Sequence, residues 1–222
     1  MPLLAKDLVS DEIPSLKVTH TGDRALRWMD EFKMTHLPVF EEERYIGLAL
    51  ESDILDMLSL DDNISSIKNK LVKSYVLDTQ HVFEVVTIIS KLKVSAIPVL
   101  DKKENFLGTI KLQKILDVIA DLSLISDPGG VIVLELNIND YAVSEIARIV
   151  ESDDARILGM YISAHPDSTK MEVTLKINKV NLGAILQTFE RYNYVVSASY
   201  DQGNEEQNLK DRFDSFMNYL NM

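Results

Sequence analysis

The chain has 222 residues, 46% of them hydrophobic and 26% charged, with a formal net charge of -12. That balance suits a folded globular protein of one large or two to three small domains, and the acidic excess argues against non-specific nucleic-acid binding, which needs clustered cations. No cysteine is present, which excludes disulfides, iron–sulfur clusters and zinc–thiolate sites. The lack of an apolar run of about 18 residues predicts no membrane span. The start Met1-Pro2-Leu3-Leu4-Ala5-Lys6-Asp7 lacks a signal-peptide core, so a cytoplasmic location is expected.

In chain order, residues 1–12 read as a short helical lead-in and 17–19 as extended. Asp23 is placed to cap a helix to about Lys33, with Ala25, Leu26, Met29 and Phe32 at helical spacing. Segments 37–40 and 45–50 read as a strand pair around the turn Glu41-Glu42-Glu43, and Ser52 as the cap of a helix starting at Asp53. Asp61-Asp62-Asn63 is a polar link. The order then recurs: 75–77 extended, 81–92 helical with Val85, Val86, Ile89 and Leu92, strands 97–100 and 106–110, and a helix over 111–121.

The recurrence is visible residue by residue. Met34-Thr35-His36-Leu37-Pro38-Val39-Phe40 matches Val94-Ser95-Ala96-Ile97-Pro98-Val99-Leu100 sixty positions on. Pro38 to Gly47 spans nine positions and Pro98 to Gly108 ten, so the slip belongs in a turn, which absorbs an insertion where a buried element does not. Repeated units of this size exist because one copy cannot bury its apolar face alone. Two half-domains packed about a seam are therefore expected, with Pro38 and Pro98 at strand edges.

Asp127-Pro128-Gly129-Gly130 breaks the pattern. Beyond it, 131–137 reads as a buried strand. Val143, Ile146, Ala147 and Val150 form a helical stripe, 156–163 and 171–177 read as strands around the turn His165-Pro166-Asp167-Ser168, Leu182, Ile185, Leu186 and Phe189 form a second stripe, and 194–200 a last strand. That is βαββαβ, the ferredoxin-like order. Asp140 is positioned to cap the first of these helices. After a polar bridge, Leu209, Phe213, Phe216 and Leu220 share one helical face in 203–222. The fold class read from the chain is therefore α+β or α/β.

On these motifs residues 1–126 resemble a tandem pair of CBS domains (about 13–60 and 70–122), a Bateman module, and 130–200 resemble an ACT domain. The segment Ser144-Glu145-Ile146-Ala147-Arg148-Ile149 adds to the second likeness, and the combination is similar to CBS–ACT proteins of the acetoin-utilisation AcuB type. The resemblance implies a pseudo-two-fold repeat pair with clefts that take adenosine nucleotides or S-adenosylmethionine, a homodimer, no required cofactor and no catalysis. It implies a ligand cleft drawn from Asp53, Leu50, His36, Pro38, Lys17, Val76, Ile97, Pro98, Lys111 and Lys114. It also implies an amino-acid loop at Asn139, Asp140, Tyr141 and Ala142.

The family signature, Gly-x-aliphatic-Ser/Thr-x-x-Asp, is incomplete in this chain. Gly47-Leu48-Ala49-Leu50-Glu51-Ser52-Asp53 keeps the carboxylate that can accept two hydrogen bonds from a ribose diol, but Leu50 replaces the hydroxyl. In the second copy Lys111 and Lys114 replace both. Asp53 also has the plain reading of an acid favoured in a first helical turn. Asp140 and Tyr141 stand where the ACT pattern has Pro-Gly, and their side chains would crowd a bound ligand. No catalytic motif is found, and His20, His36, His81 and His165 lie apart in the chain. The expectation is a non-enzymatic sensor of an adenosine-type ligand with an ACT-like domain for dimerisation or a second ligand; the alternative is a ligand-free dimeric scaffold. Neither nucleic acid nor membrane is an expected partner.

Overall fold

The structure, a computed structural model, describes residues 3–10, 12–164 and 169–201. The expected turn at 165–168 and the apolar stripe of 203–222 lie outside them. The chain divides into two compact units, Met1–Ile119 and Ala120–Met222.

In the first unit, the leading repeat runs β1 (Leu16–Lys17), α1 (Gly22–Phe32), β2 (His36–Glu41), β3 (Arg44–Leu50) and α2 (Glu51–Leu55). The second runs β4 (Val76–Leu77), α3 (Val82–Leu92), β5 (Ala96–Leu100), β6 (Phe106–Lys111) and α4 (Leu112–Ala120). Each repeat forms a three-stranded sheet, β1-β2-β3 and β4-β5-β6, with the first pair parallel and the second antiparallel. Backbone conformations repeat as well. Positive φ recurs at Lys33 and Lys93 after the first helices, at Glu42 and Glu104 in the hairpins, and at Gly47 and Gly108. The slip of one falls between Phe40↔Tyr45 and Leu100↔Phe106, in the hairpin turns as expected.

Several local expectations are corrected. Thr21, not Asp23, caps α1, its Oγ1 accepting from Arg24 N at 3.3 Å; Asp23 lies within the first turn, paired with Arg27. Helix α2 starts at Glu51 with Leu50 at its cap and no side-chain bond, so Ser52 does not cap it. Gly47 and Gly108 lie inside β3 and β6. At Gly47, with φ +152, a Cβ would stand 2.9 Å from Leu71 Cβ, so the linker approaches there only because there is no side chain.

Pro38 and Pro98 sit in central strands rather than at edges. Pro38 faces Leu48, whose N–H and C=O bond Val72 instead, so this pair exchanges no bonds and the missing N–H is not needed by β3. On its other side β1 starts only opposite Val39. Pro98 faces Thr109, whose backbone bonds Ser10, in the same way.

The lead-in segments cross over. A 3₁₀ turn, Ala5–Leu8, lies on the second repeat, and its counterpart, Ile64–Ile67, lies on the first. The bonds match in pairs. Ala5 N donates to Gln80 O at 2.8 Å and Ile64 N to His20 O at 2.8 Å; Val82 N donates to Leu3 O at 2.8 Å and Gly22 N to Asp62 O at 3.1 Å. Ala5 and Leu8 join the core of Val76, Val82, Val85, Ile97 and Ile110. Ile64, Ile67 and Leu71 join that of Leu16, Ala25, Met29, Leu37 and Ile54. Leu48 of the first repeat is buried in the second core, and Ala96 of the second in the first.

The second unit opens with a short helix that the periodicity does not reveal, α5 (Ser123–Ser126). It continues β7 (Gly130–Asn137), α6 (Val143–Ser152), β8 (Ile157–Ala164), β9 (Lys170–Ile177), α7 (Gly183–Arg191) and β10 (Val195–Tyr200). The sheet is antiparallel throughout with order β10-β7-β9-β8, the ferredoxin-like arrangement. Strand β7 is not buried on both faces. Ile132, Leu134 and Leu136 are buried, while Val131, Val133 and Glu135 are only partly covered, because Ile146, Ile149, Val150, Ile185 and Phe189 of α6 and α7 pack on one side. Helix α6 is preceded by Ala142 with no side-chain cap. Asp140, expected to cap it, instead accepts from Asn137 Nδ2 at 2.9 Å.

Leu8 and Ile64 are 1% and 0% exposed in cores they share with the opposite repeat. Leu8→Ala and Ile64→Ala are each expected to lower stability by about 2–4 kcal/mol, read as a shift of the urea midpoint of the first unit. A loss of under about 0.5 kcal/mol for Leu8→Ala would show that the crossed lead-in contributes little.

Candidate functional site

The signature positions meet where the two repeats touch. His36 opens β2 directly opposite Leu50 at the end of β3, and Asp53 follows in the first turn of α2. The counterpart is Ala96 opposite Lys111, with Lys114 in α4. Glu51 N donates to Thr35 O and Leu112 N to Ser95 O, both at 3.0 Å, so the two strand–helix corners close alike.

Between these corners lies a hydrogen-bonded knot that sequence reading missed. Thr35 N donates to Ser95 Oγ at 3.1 Å. His36 Nδ1 lies 2.9 Å from Thr35 Oγ1 and 3.2 Å from Ser95 Oγ, and it accepts from Ser95 N at 3.3 Å. An amide N–H can only donate, so Nδ1 carries a lone pair and the imidazole is neutral, protonated at Nε2. His36 is 8% exposed, and this burial holds its pKa below the ordinary histidine value. The signal that could have found the knot was the pair of hydroxyl residues, Thr35 and Ser95, at matching positions.

The other expected ligand residues are differently engaged. Asp53 is partly buried with Lys70 Nζ 3.9 Å from its carboxylate. Leu50 is partly buried and Lys114 exposed. Lys111 Nζ donates to Phe32 O at 3.4 Å and lies 5.5 Å over the Phe32 ring, so it serves the carbonyl end of α1. Pro38 and Pro98 are buried within their sheets. Val76 and Ile97 are 0% exposed in the core of the second repeat and present no surface to any cleft. Lys17 is exposed and pairs with Phe40, four residues along β2 from His36, roughly 13 Å at the strand rise. The structure thus gathers His36, Leu50, Asp53 and Lys111 with Thr35 and Ser95, and leaves Val76, Ile97 and Lys17 elsewhere.

A groove of about 370 Å³ opens at the hairpin end of the same unit. Tyr45 and Ile46 come from the first repeat, Leu100 and Glu104 from the second, and Lys68, Lys73 and Tyr75 from the chain joining them. Tyr45 donates its hydroxyl to Ser74 O at 2.7 Å, and burial pushes its pKa well above the ordinary phenol value, so it is neutral. Phe40 is wedged edge-on between Tyr45 and Phe106, with ring centroids 5.9 and 4.8 Å away. At the rim Arg44 reaches Glu104 at 3.6 Å across the repeats, and Lys68 meets Glu41 at 2.6 Å. Both pairs are solvent-exposed and of small energetic weight. Tyr75 is 44% exposed. The sequence signal for this groove was the run of Lys68, Lys70 and Lys73 ahead of Tyr75.

In the second unit the expected ACT loop is partly a 3₁₀ turn, Ile138–Asp140, with Asn139 and Asp140 exposed and Tyr141 packed against the core. A depression of about 260 Å³ beside it is lined by Asp140, Glu135, Glu145 and Tyr194. Tyr194 donates to Glu145 Oε2 at 3.1 Å, and its pKa is pushed up to about 12 by burial, by Glu145 and by Asp140. These walls are mainly acceptors and oppose the carboxylate of an amino-acid ligand. Among the described residues no group of three or more His, Asp or Glu is arranged to hold a metal ion, and no helix is long and apolar enough to cross a membrane.

The neutral His36 gives a pH dependence. Its folded pKa lies below the unfolded value of about 6.5. As pH falls, the unfolded chain binds the proton first, so the contribution is complete above about 6.5 and is lost on acidification. His20, held low by burial and by Arg24 and Lys17, has the same sign. Urea unfolding is expected to show lower stability at pH 5.5 than at pH 7.5, with a smaller drop in His36→Asn, whose amide oxygen can replace Nδ1 as acceptor. Equal drops in the two proteins would contradict the neutral knot.

Comparison with known proteins bears on the same unit. Residues 67–121 match the family model of the CBS domain. Among solved structures, the chain is similar to a CBS domain pair/ACT domain protein from Thermotoga maritima, with 18% identity, a TM-score of 0.48 and coverage of 54% of this chain and 98% of that one. It is also similar to the CBS domain of a bacterial CNNM/CorC family Mg²⁺ transporter in complex with ATP, with 19% identity, a TM-score of 0.45 and coverage of 53% and 87%. A third likeness is to a CBS domain pair in complex with 5′-methylthioadenosine and S-adenosyl-L-methionine, with 21% identity, a TM-score of 0.44 and coverage of 54% and 98%.

Proposed function

We propose that the chain is a non-enzymatic regulatory protein whose CBS-type repeat pair binds an adenosine-type ligand (AMP, ADP, ATP or S-adenosylmethionine). On this reading the second unit is an ACT-like domain, as in the AcuB type, that supports dimerisation or a second ligand response in the cytoplasm. The observation that carries the reading is the hairpin-end groove. It is lined from both repeats by Tyr75, Arg44, Lys68 and Lys73 together with Glu41 and Glu104, and a ring beside cations is support for a site that would take a base and phosphates. An aromatic platform contributes about 1–3 kcal/mol per stacked base. A ligand bridging Arg44 and Glu104 touches both repeats and therefore favours one relative arrangement of them, a population shift. The chain through Asp127-Pro128-Gly129-Gly130 is the covalent route by which that shift reaches the second unit.

A ligand-free dimeric scaffold is the second reading. It is favoured by Lys114 in place of the signature carboxylate and by the mutual satisfaction of Thr35, His36 and Ser95. It predicts a melting temperature indifferent to nucleotides, whereas a ligand specific for the folded state raises it.

Isothermal titration with AMP, ADP, ATP and S-adenosylmethionine separates the two. At least one is expected to bind below about millimolar, with Tyr75→Ala weakening it roughly tenfold and Asp53→Ala having less effect. Binding by none would reject the sensing role. A loss confined to Asp53→Ala would move the ligand to the signature corner.

A further inference from the structure

The hairpin-end groove carries both signs of charge, and its cations are not equally available. Lys68 Nζ lies 2.6 and 2.7 Å from the two carboxylate oxygens of Glu41, so one ammonium engages both acceptors of that acid. Arg44 of the first repeat reaches Glu104 of the second at 3.6 Å. Lys73 lines the same groove, is exposed, and among the described residues has no carboxylate at ion-pair distance. Three cations and two carboxylates leave one positive charge uncompensated in the lining, and it sits on Lys73.

We infer that Glu41 and Glu104 set the specificity of this groove by limiting the number of phosphate groups it takes: a nucleoside monophosphate is accepted at Lys73 and the triphosphate is disfavoured. This rests on the reading of the groove as an adenosine-type site. Opening either rim pair costs little in itself, because both are exposed to water. The carboxylates, however, stay where their hairpins hold them, Glu41 at the end of β2 and Glu104 in the turn between β5 and β6. The groove of about 370 Å³ is about 7 Å across, less than the Debye length of about 8 Å at physiological salt. Like charges placed together in it are therefore only partly screened. One phosphate can meet Lys73 without displacing either acid. Each further phosphoryl group must take Arg44 or Lys68 from a carboxylate that remains beside it. The penalty rises with phosphate number and falls on ATP before AMP.

Titration calorimetry of the full chain with AMP and with ATP tests this, in buffer without divalent cations so that the phosphates keep their full charge. The native protein is compared with the double variant Glu41→Gln, Glu104→Gln, which keeps side-chain size and removes both charges at exposed positions of small weight for folding. The variant is expected to bind ATP at least about tenfold more tightly than the native chain, with AMP affinity changed less than about threefold. Lys73→Ala is expected to weaken AMP about tenfold in both backgrounds. An ATP-to-AMP affinity ratio equal in the native and doubly substituted proteins would overturn the inference and leave the adenosine reading standing. Binding of neither nucleotide by either protein would reject the adenosine reading, and inorganic phosphate and tripolyphosphate, which carry no base, then decide the role of the rim. Tripolyphosphate binding gained only in the double variant supports the limit on phosphate number; none in either protein overturns it.

Discussion

Neither repeat of the first unit holds a complete core. The structure depends on the exchange by which each lead-in segment fills the apolar gap of the opposite repeat. A hydrophobic contribution of about 1.5–3 kcal/mol for each fully buried Leu or Ile is small singly. Leu8, Ile64, Leu48 and Ala96 all lie in a core with residues of the other repeat, and Ala5 and Ile67 are buried with the crossed turns, so the halves share their stability. The consequence for function is direct. A ligand that alters how the two hairpins meet acts on a seam already under common constraint, not on two independent domains.

The seam has two ends with different chemistry. At the strand–helix corners, Thr35, His36 and Ser95 satisfy one another and leave few polar atoms free for a ligand. At the hairpin end the cross-repeat contacts are the Phe40–Phe106 ring pair and the exposed Arg44–Glu104 ion pair, and the latter exchanges readily with water or with a charged guest. The buried, neutral histidine fixes one end while the other remains open to solvent. Solvent access along this seam is therefore concentrated at Tyr75 and the rim cations.

Much of the architecture was legible in the chain. The sixty-residue recurrence, the turn position of the one-residue slip and the βαββαβ order all follow from periodicity, because buried faces impose it. Cap assignments were less legible. Thr21, Asp23 and Ser52 are all competent cap residues, and tertiary closure, such as Glu51 N on Thr35 O, decided where α2 begins. The prolines were misplaced for a similar reason. A central strand tolerates Pro38 only because Leu48 turns its hydrogen bonds to Val72, 34 positions beyond the proline and outside any local window. Val76 and Ile97 entered the expected cleft by analogy, while their side chains alternate inward to the core. The groove at Tyr75 left only a faint trace, since lysines ahead of a tyrosine look like ordinary surface until the hairpins of both repeats are brought beside them.

Native-state hydrogen exchange in rising, sub-denaturing urea probes the shared core most directly. The amides of β2 and β3 and those of β5 and β6 are predicted to converge on one opening free energy, because the crossed lead-ins make the repeats a single cooperative unit. Two well-separated opening energies, with one hairpin exchanging freely while the other stays protected, would contradict the account.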